Sequence, residues 1–314
     1  MMMSSSPNGP TDHRGVYAVP PVARNDDERR SINPDENIKI VRHIVSGGVS
    51  RFLYGGNGNL YHISLDDYAV LLECLDGTSD GVTIVPSVGP TFGRAIEQAA
   101  ILRRFRFPFV MALPGSDPRT AAGLERGYRE IADAAGVPIL LYLKSEDNFG
   151  DDLDGGLDAI ARLIDDGVSV GVKYAVVREN PGEDAYLEGL LGRVDRNYII
   201  SGLGERPAVV HMEQWKLPGF TTGSGCVNPH RVQALFEAAS RGDFDAAREH
   251  RAHFMRLEDL RDRWGPVVVL QEAVDAAGIA RVGPHVPFLS GLSVDQRREV
   301  AETARSLARY EAVT

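Results

Sequence analysis

The sequence predicts an α/β fold: a (β/α)8 TIM barrel with a C-terminal helical extension. Eight short apolar runs rich in Val, Ile and Tyr alternate with eight stretches of helical period. Strands joined by helices at such regular spacing make right-handed βαβ units and a parallel sheet, either closed into a barrel or open and doubly wound. A count of eight favours the barrel. Beyond the eighth unit only helical patterns follow, with no further strand to extend the sheet.

The strand candidates, in chain order, are Val16 to Val19, Arg51 to Tyr54, Val82 to Pro86, Phe107 to Leu113, Pro138 to Tyr142, Ser169 to Tyr174, Tyr198 to Ser201 and Leu217 to Thr222. The helices between them begin near Pro34, Ser64, Thr91, Thr120, Leu153, Gly182, Glu205 and Pro229, several preceded by a Ser, Asp or Asn that can cap the first turn. Leu153, Leu157, Ile160 and Ile164 recur at helical spacing and put one apolar face against a sheet. Three more helical stretches run from Asp243 to Asp262, Pro266 to Ala277 and Ser293 to Tyr310. The expected organisation is a disordered tail over 1–14, a barrel over 15–240, and C-terminal helices over 241–314 packed on it. No linker or repeat beyond the β/α unit divides the chain.

Composition narrows the function. The chain has 314 residues, 43% hydrophobic and 25% charged, enough for a full core. Its net charge is −10 with Lys and Arg scattered, which argues against a nucleic-acid partner. No apolar run reaches the roughly 18 residues a membrane span needs, and the polar start lacks a secretory leader, so a cytoplasmic protein is expected. Two cysteines, Cys74 and Cys226, support no disulfide framework, and the eight His form no metal-ligand spacing. Neither a metal nor another cofactor is expected.

Barrel active sites lie at the C-terminal ends of the strands, so polar residues that end strands are the candidates. Lys173 ends an apolar strand. Facing inward, it would lose its proton readily and attack a ketone carbonyl as a Schiff-base nucleophile; facing outward, it would be an ordinary solvated lysine. Tyr142 ends the preceding strand, within reach of Lys173 for proton transfer, or is a core tyrosine. Lys144, two residues on, would share the face of Tyr142 if the strand continues, and would bind a carboxylate or rival Lys173. The run Gly55-Gly56-Asn57-Gly58-Asn59 after the second strand is either an anion-binding nest or a tight turn. Gly223-Ser224-Gly225 after the last strand keeps a phosphate site in play, with Cys226 as a small buried residue and no nucleophile signature around it.

These four places, in this order, resemble the dihydrodipicolinate synthase and N-acetylneuraminate lyase family of Schiff-base aldolases, over a span from about Val16 to the C-terminal helices. The most specific parts are Val137-Pro138-Ile139-Leu140-Leu141-Tyr142 and Gly171-Val172-Lys173, which look like the family's catalytic tyrosine and Schiff-base lysine; the spacing of Ser224 and Asn228 fits too. The resemblance implies a lyase, aldolase or dehydratase, acting on a 2-keto acid such as pyruvate or a sugar-derived acid, in a homotetramer or dimer. Lys173 and Tyr142 would be catalytic, and Gly56, Asn57, Asn59, Lys144, Gly223 and Ser224 would bind substrate.

The chain also departs from the pattern. The family's Gly-Thr-Thr-Gly-Glu loop reads Gly55, Gly56, Asn57, Gly58, Asn59 here, so the amides at Gly56 and Asn57 remain for a carboxylate while the relay hydroxyls are gone. The second tyrosine after the fourth strand and the arginine past the fifth-strand tyrosine have no visible counterpart. A divergent member is expected, its altered substrate marked by Asn57, Asn59 and Lys144, with a non-catalytic keto-acid or sugar-acid binding protein on the same barrel as the alternative.

Overall fold

The computed structural model describes residues 11–78, 81–116 and 119–309. Its strands are β1 (Gly15–Ala18), β2 (Arg51–Leu53), β3 (Thr83–Val85), β4 (Ser87–Val88), β5 (Val110–Ala112), β6 (Ile139–Leu143), β7 (Ser169–Tyr174), β8 (Ile199–Ser201) and β9 (Gly219–Thr222). All pairs are parallel, in the order β3-β2-β1-β9-β8-β7-β6-β5-β4. The third expected strand is split at Pro86: β3 pairs with β2, β4 pairs with β5, and the chain between them closes the ring. Proline has no N–H for a ladder bond, but its carbonyl still accepts from the Met111 N–H at 2.8 Å. Nine segments thus fill eight barrel positions.

The barrel helices are α1 (Pro34–Ser46), α2 (Leu65–Asp76), α3 (Phe92–Leu102), α4 (Ala121–Ala135), α5 (Leu153–Asp165), α6 (Ala185–Leu191), α7 (Glu205–Glu213) and α8 (Pro229–Ser240). Asn33, Ser64, Thr120, Asp152, Asp184 and Asn228 accept first-turn N–H groups and fix where six of them begin. In α5, Leu157, Ile160 and Ile164 are buried as the spacing requires, and each such burial contributes about 1.5–3 kcal/mol. Leu153, in the first turn, is 38% exposed and lies outside that face.

The extension consists of α9 (Phe244–Ala252), α10 (Met255–Trp264), α11 (Pro266–Ala276) and α12 (Val294–Ala308). The stretch expected as one helix from 243 to 262 is two, because the chain turns at His253 and Phe254 and sinks the Phe254 ring fully into the core. This turn aims α10 at the barrel mouth.

The tail expected to fray through residue 14 is packed from His13, and residues 1–10 lie outside the described residues. His13 is 1% exposed; its Nδ1 is 2.9 Å from the Tyr17 hydroxyl and its Nε2 is 2.8 Å from the Val170 carbonyl oxygen. Burial pulls its pKa below the usual imidazole value.

That contact holds an irregularity which places the site. Ile139 pairs with Ser169 but Leu140 pairs with Gly171, so Val170 is an extra residue in β7. The Ser169 hydroxyl donates to the Gly171 carbonyl at 2.9 Å and accepts the Gly171 N–H at 3.1 Å. Gly171 sits at φ 151°, where a Cβ would lie 2.3 Å from the Tyr198 carbonyl oxygen. Because a one-residue slip turns every later side chain to the opposite face, this bulge decides which of Val172, Lys173 and Tyr174 look into the barrel.

Candidate active site

Past the bulge, Tyr142 on β6 and Lys173 on β7 stand opposite each other in register. Lys173 is 3% exposed, and its Nζ lies 3.9 Å from the centroid of the Tyr142 ring. On its other side the chain leaves β8 through Gly202, where a Cβ would come within 2.9 Å of the Lys173 Cγ, so only a glycine lets the lysine stem pass. Burial first, and the nearby Lys144 charge second, bring the Lys173 amine from 10.5 to about 7. About half of it is therefore a free nucleophile near neutrality. Burial, with Tyr61 adding to it, pushes the Tyr142 phenol well above its ordinary value and keeps it protonated.

Lys173 and Tyr142 line a cavity of about 220 Å³ at the C-terminal ends of the strands, together with Gly56, Asn57 and Gly223. A larger groove of 490 Å³ runs along α3 and α4 and contains neither. At Gly56 an added Cβ would meet nothing within 4 Å, so its backbone is open to the cavity. The Asn57 side chain is committed to the protein: Nδ2 donates to the Val19 carbonyl at 2.7 Å, and Oδ1 accepts from Arg261 at 3.2 Å.

Three sequence candidates lie elsewhere. Asn59 takes a left-handed φ of 54° at the start of a short 3-10 turn, and is not among the cavity-lining residues. Lys144 is exposed, with Nζ 5.6 Å from the Tyr61 ring, because β6 ends at Leu143. There the Asn148 side-chain oxygen takes the Lys144 and Ser145 N–H groups and turns the chain away, so Lys144 reaches Lys173 only through its charge. Ser224 is fully buried under the cavity floor, its hydroxyl donating to Glu258.

The loop after β9, kept in play above as a phosphate site, already holds anions. Thr222 donates to Glu205, whose Oε1 also accepts the Gly225 N–H at 2.9 Å, and Ser224 donates to Glu258. Asn228 caps α8 and donates to the Leu307 carbonyl at 2.8 Å. The protein's own carboxylates occupy the donors that a phosphate would need, and the phosphate reading falls.

Glu205, Glu258 and Arg261 are the residues that strand-end reasoning passed over. Arg261 donates to Glu258 at 2.5 Å, and its guanidinium packs flat against Gly223, where a Cβ would lie 2.5 Å from Nη2. Gly223 is thus explained by Arg261. Three charged groups packed this tightly would be costly unless balanced. Burial and the neighbouring Glu258 push the Glu205 carboxyl up to about 7, which brings the trio close to one cation and one anion. Glu205 did carry a signal, an acid just past β8 in Gly202-Leu203-Gly204-Glu205. Glu258 and Arg261 sit three apart on a helix of the extension, which no strand-end rule inspects. Among the described residues no three His, Cys, Asp or Glu side chains gather to hold a metal ion.

The comparisons agree with this architecture. Oceanobacillus iheyensis dihydrodipicolinate synthase superposes with a TM-score of 0.77 at 22% identity, over 93% of this chain and 95% of that one. The Bacillus clausii dihydrodipicolinate synthase gives 0.79 at 22%, over 93% and 97%. Proteus mirabilis N-acetylneuraminate lyase gives 0.79 at 17%, over 95% and 99%. At such identities these structures speak for the fold. A search of curated protein sequences finds no match. The family model described as the dihydrodipicolinate synthetase family matches residues 19–307, nearly the whole chain, including every residue of the cavity described above. The chain belongs to the dihydrodipicolinate synthetase family.

Proposed function

We propose that the protein is a lyase, an aldolase or dehydratase, that binds a 2-keto acid covalently through Lys173. The observation that carries this reading is a buried amine with its pKa near 7, in register with Tyr142 and opening on a cavity at the strand ends. Family membership supports it. The free amine attacks the keto carbon to give a carbinolamine, which loses water to form an imine between Nζ and that carbon. Tyr142 delivers the proton to the departing hydroxyl. When a bond on the carbon adjacent to the imine carbon breaks, a C–C bond with release of an aldehyde in cleavage or a C–H bond whose proton returns to the Tyr142 phenolate, its electron pair moves into the protonated imine and leaves an enamine; that enamine adds to an aldehyde in condensation or expels a hydroxyl in dehydration. The backbone N–H groups of Gly56 and Asn57 are the donors for the substrate carboxylate. Since the protein carries a net −10, such local donors must outweigh repulsion of an anionic substrate. The same reading takes the protein to be a cytoplasmic homo-oligomer, a tetramer or dimer.

Incubation with a panel of 2-keto acids and borohydride, followed by peptide mass spectrometry, tests the proposal. A reduced adduct on Lys173 with at least one acid is expected; no adduct with any of them refutes it. One observation favours a second reading, a non-catalytic keto-acid or sugar-acid binding protein. The run Gly55-Gly56-Asn57-Gly58-Asn59 after β2 carries no hydroxyl for a relay, and the Asn57 amide that stands there is tied to Val19 and Arg261. That reading requires ligand-induced stabilisation that survives Lys173→Ala, with no turnover by the wild type.

A further inference from the structure

The Glu258–Arg261 pair lines the same cavity as Lys173, although α10 belongs to the extension and not to the barrel. The segment between them is short. Gly202 lies against the Lys173 stem, and Gly204, two residues on, lies where a Cβ would be 3.2 Å from the Glu258 Oε2. Two residues of extended chain span at most about 7 Å, so this one short segment joins the lysine stem to the ion pair along the wall of a single cavity. At about 220 Å³ the cavity has room for more than the five heavy atoms that pyruvate keeps when held as an imine.

The bonding capacity of the pair is not exhausted. A guanidinium has five N–H donors, and Arg261 uses three, toward Glu258, Asn57 and, at 3.4 Å, the Pro266 carbonyl. Glu258 takes its bonds from Ser224 and Arg261 on Oε1, while Oε2 faces Gly204. The part of the cavity wall formed by this pair therefore offers two donors beside one acceptor. A hydroxyl matches both, since it donates and accepts. A second carboxylate does not. It would enter beside the Glu258 carboxylate, which already balances the buried Arg261 cation, in a setting where like charges repel strongly.

From this we infer that the Glu258–Arg261 pair of α10 is the specificity-determining element of the site, selecting a 2-keto acid whose chain beyond the keto group carries hydroxyls, over pyruvate and over 2-keto dicarboxylates. The inference rests on the reading of this cavity as a keto-acid site. Arg261 reaches over Gly223 to the loop after β2, so the extension completes the cavity wall.

The test compares pyruvate, 2-ketoglutarate and 2-keto-3-deoxygluconate on the full chain. Two readouts are taken in parallel, the half-saturating concentration for borohydride trapping on Lys173 and the rise in Tm without borohydride. The hydroxylated acid should half-saturate at least tenfold below pyruvate, and 2-ketoglutarate no lower than pyruvate. Glu258→Gln should cut that preference at least tenfold. The double variant Glu258→Leu/Arg261→Met, which removes the ion pair as a unit and leaves Glu205 bonded to Thr222 and Gly225 to stay protonated, should do the same while retaining a cooperative melt. Equal half-saturation by all three acids, a preference for 2-ketoglutarate, or a preference unchanged in both variants would overturn the inference. If no acid is trapped yet the Tm rise is specific to the hydroxylated acid and depends on Glu258, the Schiff-base proposal fails and this inference stands. With neither trapping nor a Tm rise, both fail.

Discussion

Replacing Lys173 by Met should stabilise the protein, and by an amount that depends on pH. The folded lysine titrates near 7 and the unfolded one near 10.5, so the unfolded chain holds the proton more tightly and binds more protons between those limits. Stability from this group is therefore fully present above about pH 10.5, and is lost as pH falls toward 7. At about 1.4 kcal/mol per tenfold, the full penalty is roughly 5 kcal/mol. Near pH 7, where half of the folded molecules keep the proton, about 4 kcal/mol of it is expressed; near pH 9, about 2 kcal/mol remains. Methionine has a similar shape and no charge, so its advantage over the wild type should shrink by about 2 kcal/mol between pH 7 and pH 9, whatever constant packing difference it introduces. Urea unfolding of both proteins at pH 7, 8 and 9 measures this directly. Glu205 is present in both proteins, so its titration cancels. A difference in unfolding free energy that stays constant across the three pH values would show that the amine titrates normally, and would remove the physical basis for Lys173 as the nucleophile.

Four further outcomes follow from the geometry. Tyr142→Phe keeps the ring beneath the Lys173 amine but removes the hydroxyl, so trapped adduct should still form while turnover of any accepted substrate falls about 10²- to 10⁴-fold in steady-state assays. Gly202→Ala places a Cβ 2.8 Å from the Tyr174 carbonyl oxygen and 2.9 Å from the Lys173 Cγ; a loss of about 1–3 kcal/mol in urea unfolding is expected, with slower trapping because the stem is displaced. His13→Ala strips partners from the Tyr17 hydroxyl and the Val170 carbonyl, and should cost about 1–3 kcal/mol by the same assay. Glu205 holds its proton more tightly folded than unfolded, so its contribution is fully present below about pH 4.5 and is lost as pH rises through about 7; Glu205→Gln should flatten that part of the stability profile measured by thermal melts.

The barrel was legible because most strands are short apolar runs and six of the eight barrel helices carry their own cap, so the repeating unit is written locally. Lys173 and Tyr142 were legible for the same reason: both end strands, and neighbouring strand ends must meet. What escaped was set by side chains distant in sequence. The extra residue of β7, Val170, is bonded through its carbonyl by His13, 157 residues before it, in a stretch whose polarity reads as a tail. Lys144 follows the alternation of its strand on paper, but the Asn148 side chain ends the ladder one residue before it. Asn59 takes a left-handed backbone conformation and stands apart from the cavity lining that includes Gly56 and Asn57.

The run Gly223-Ser224-Gly225 shows why a glycine-rich loop is weak evidence for a ligand by itself. Its glycines are required, but Gly223 makes room for Arg261, and at Gly225 a Cβ would meet the Thr222 Oγ1 at 2.4 Å. Its donors are used, but by Glu205 and Glu258. The loop therefore acts as a socket for carboxylates from α7 and α10, and the charge of that socket is carried forward into the cavity by Arg261. Substitutions in this loop should consequently act through the placement of Glu258 and Arg261: Gly223→Ala, whose Cβ would sit where the guanidinium lies, ought to shift the choice among keto acids and not merely weaken all of them alike. Comparing its trapping preference with that of Glu258→Gln decides the matter, since a uniform loss with every acid would mean that the loop serves the Lys173 end of the cavity instead.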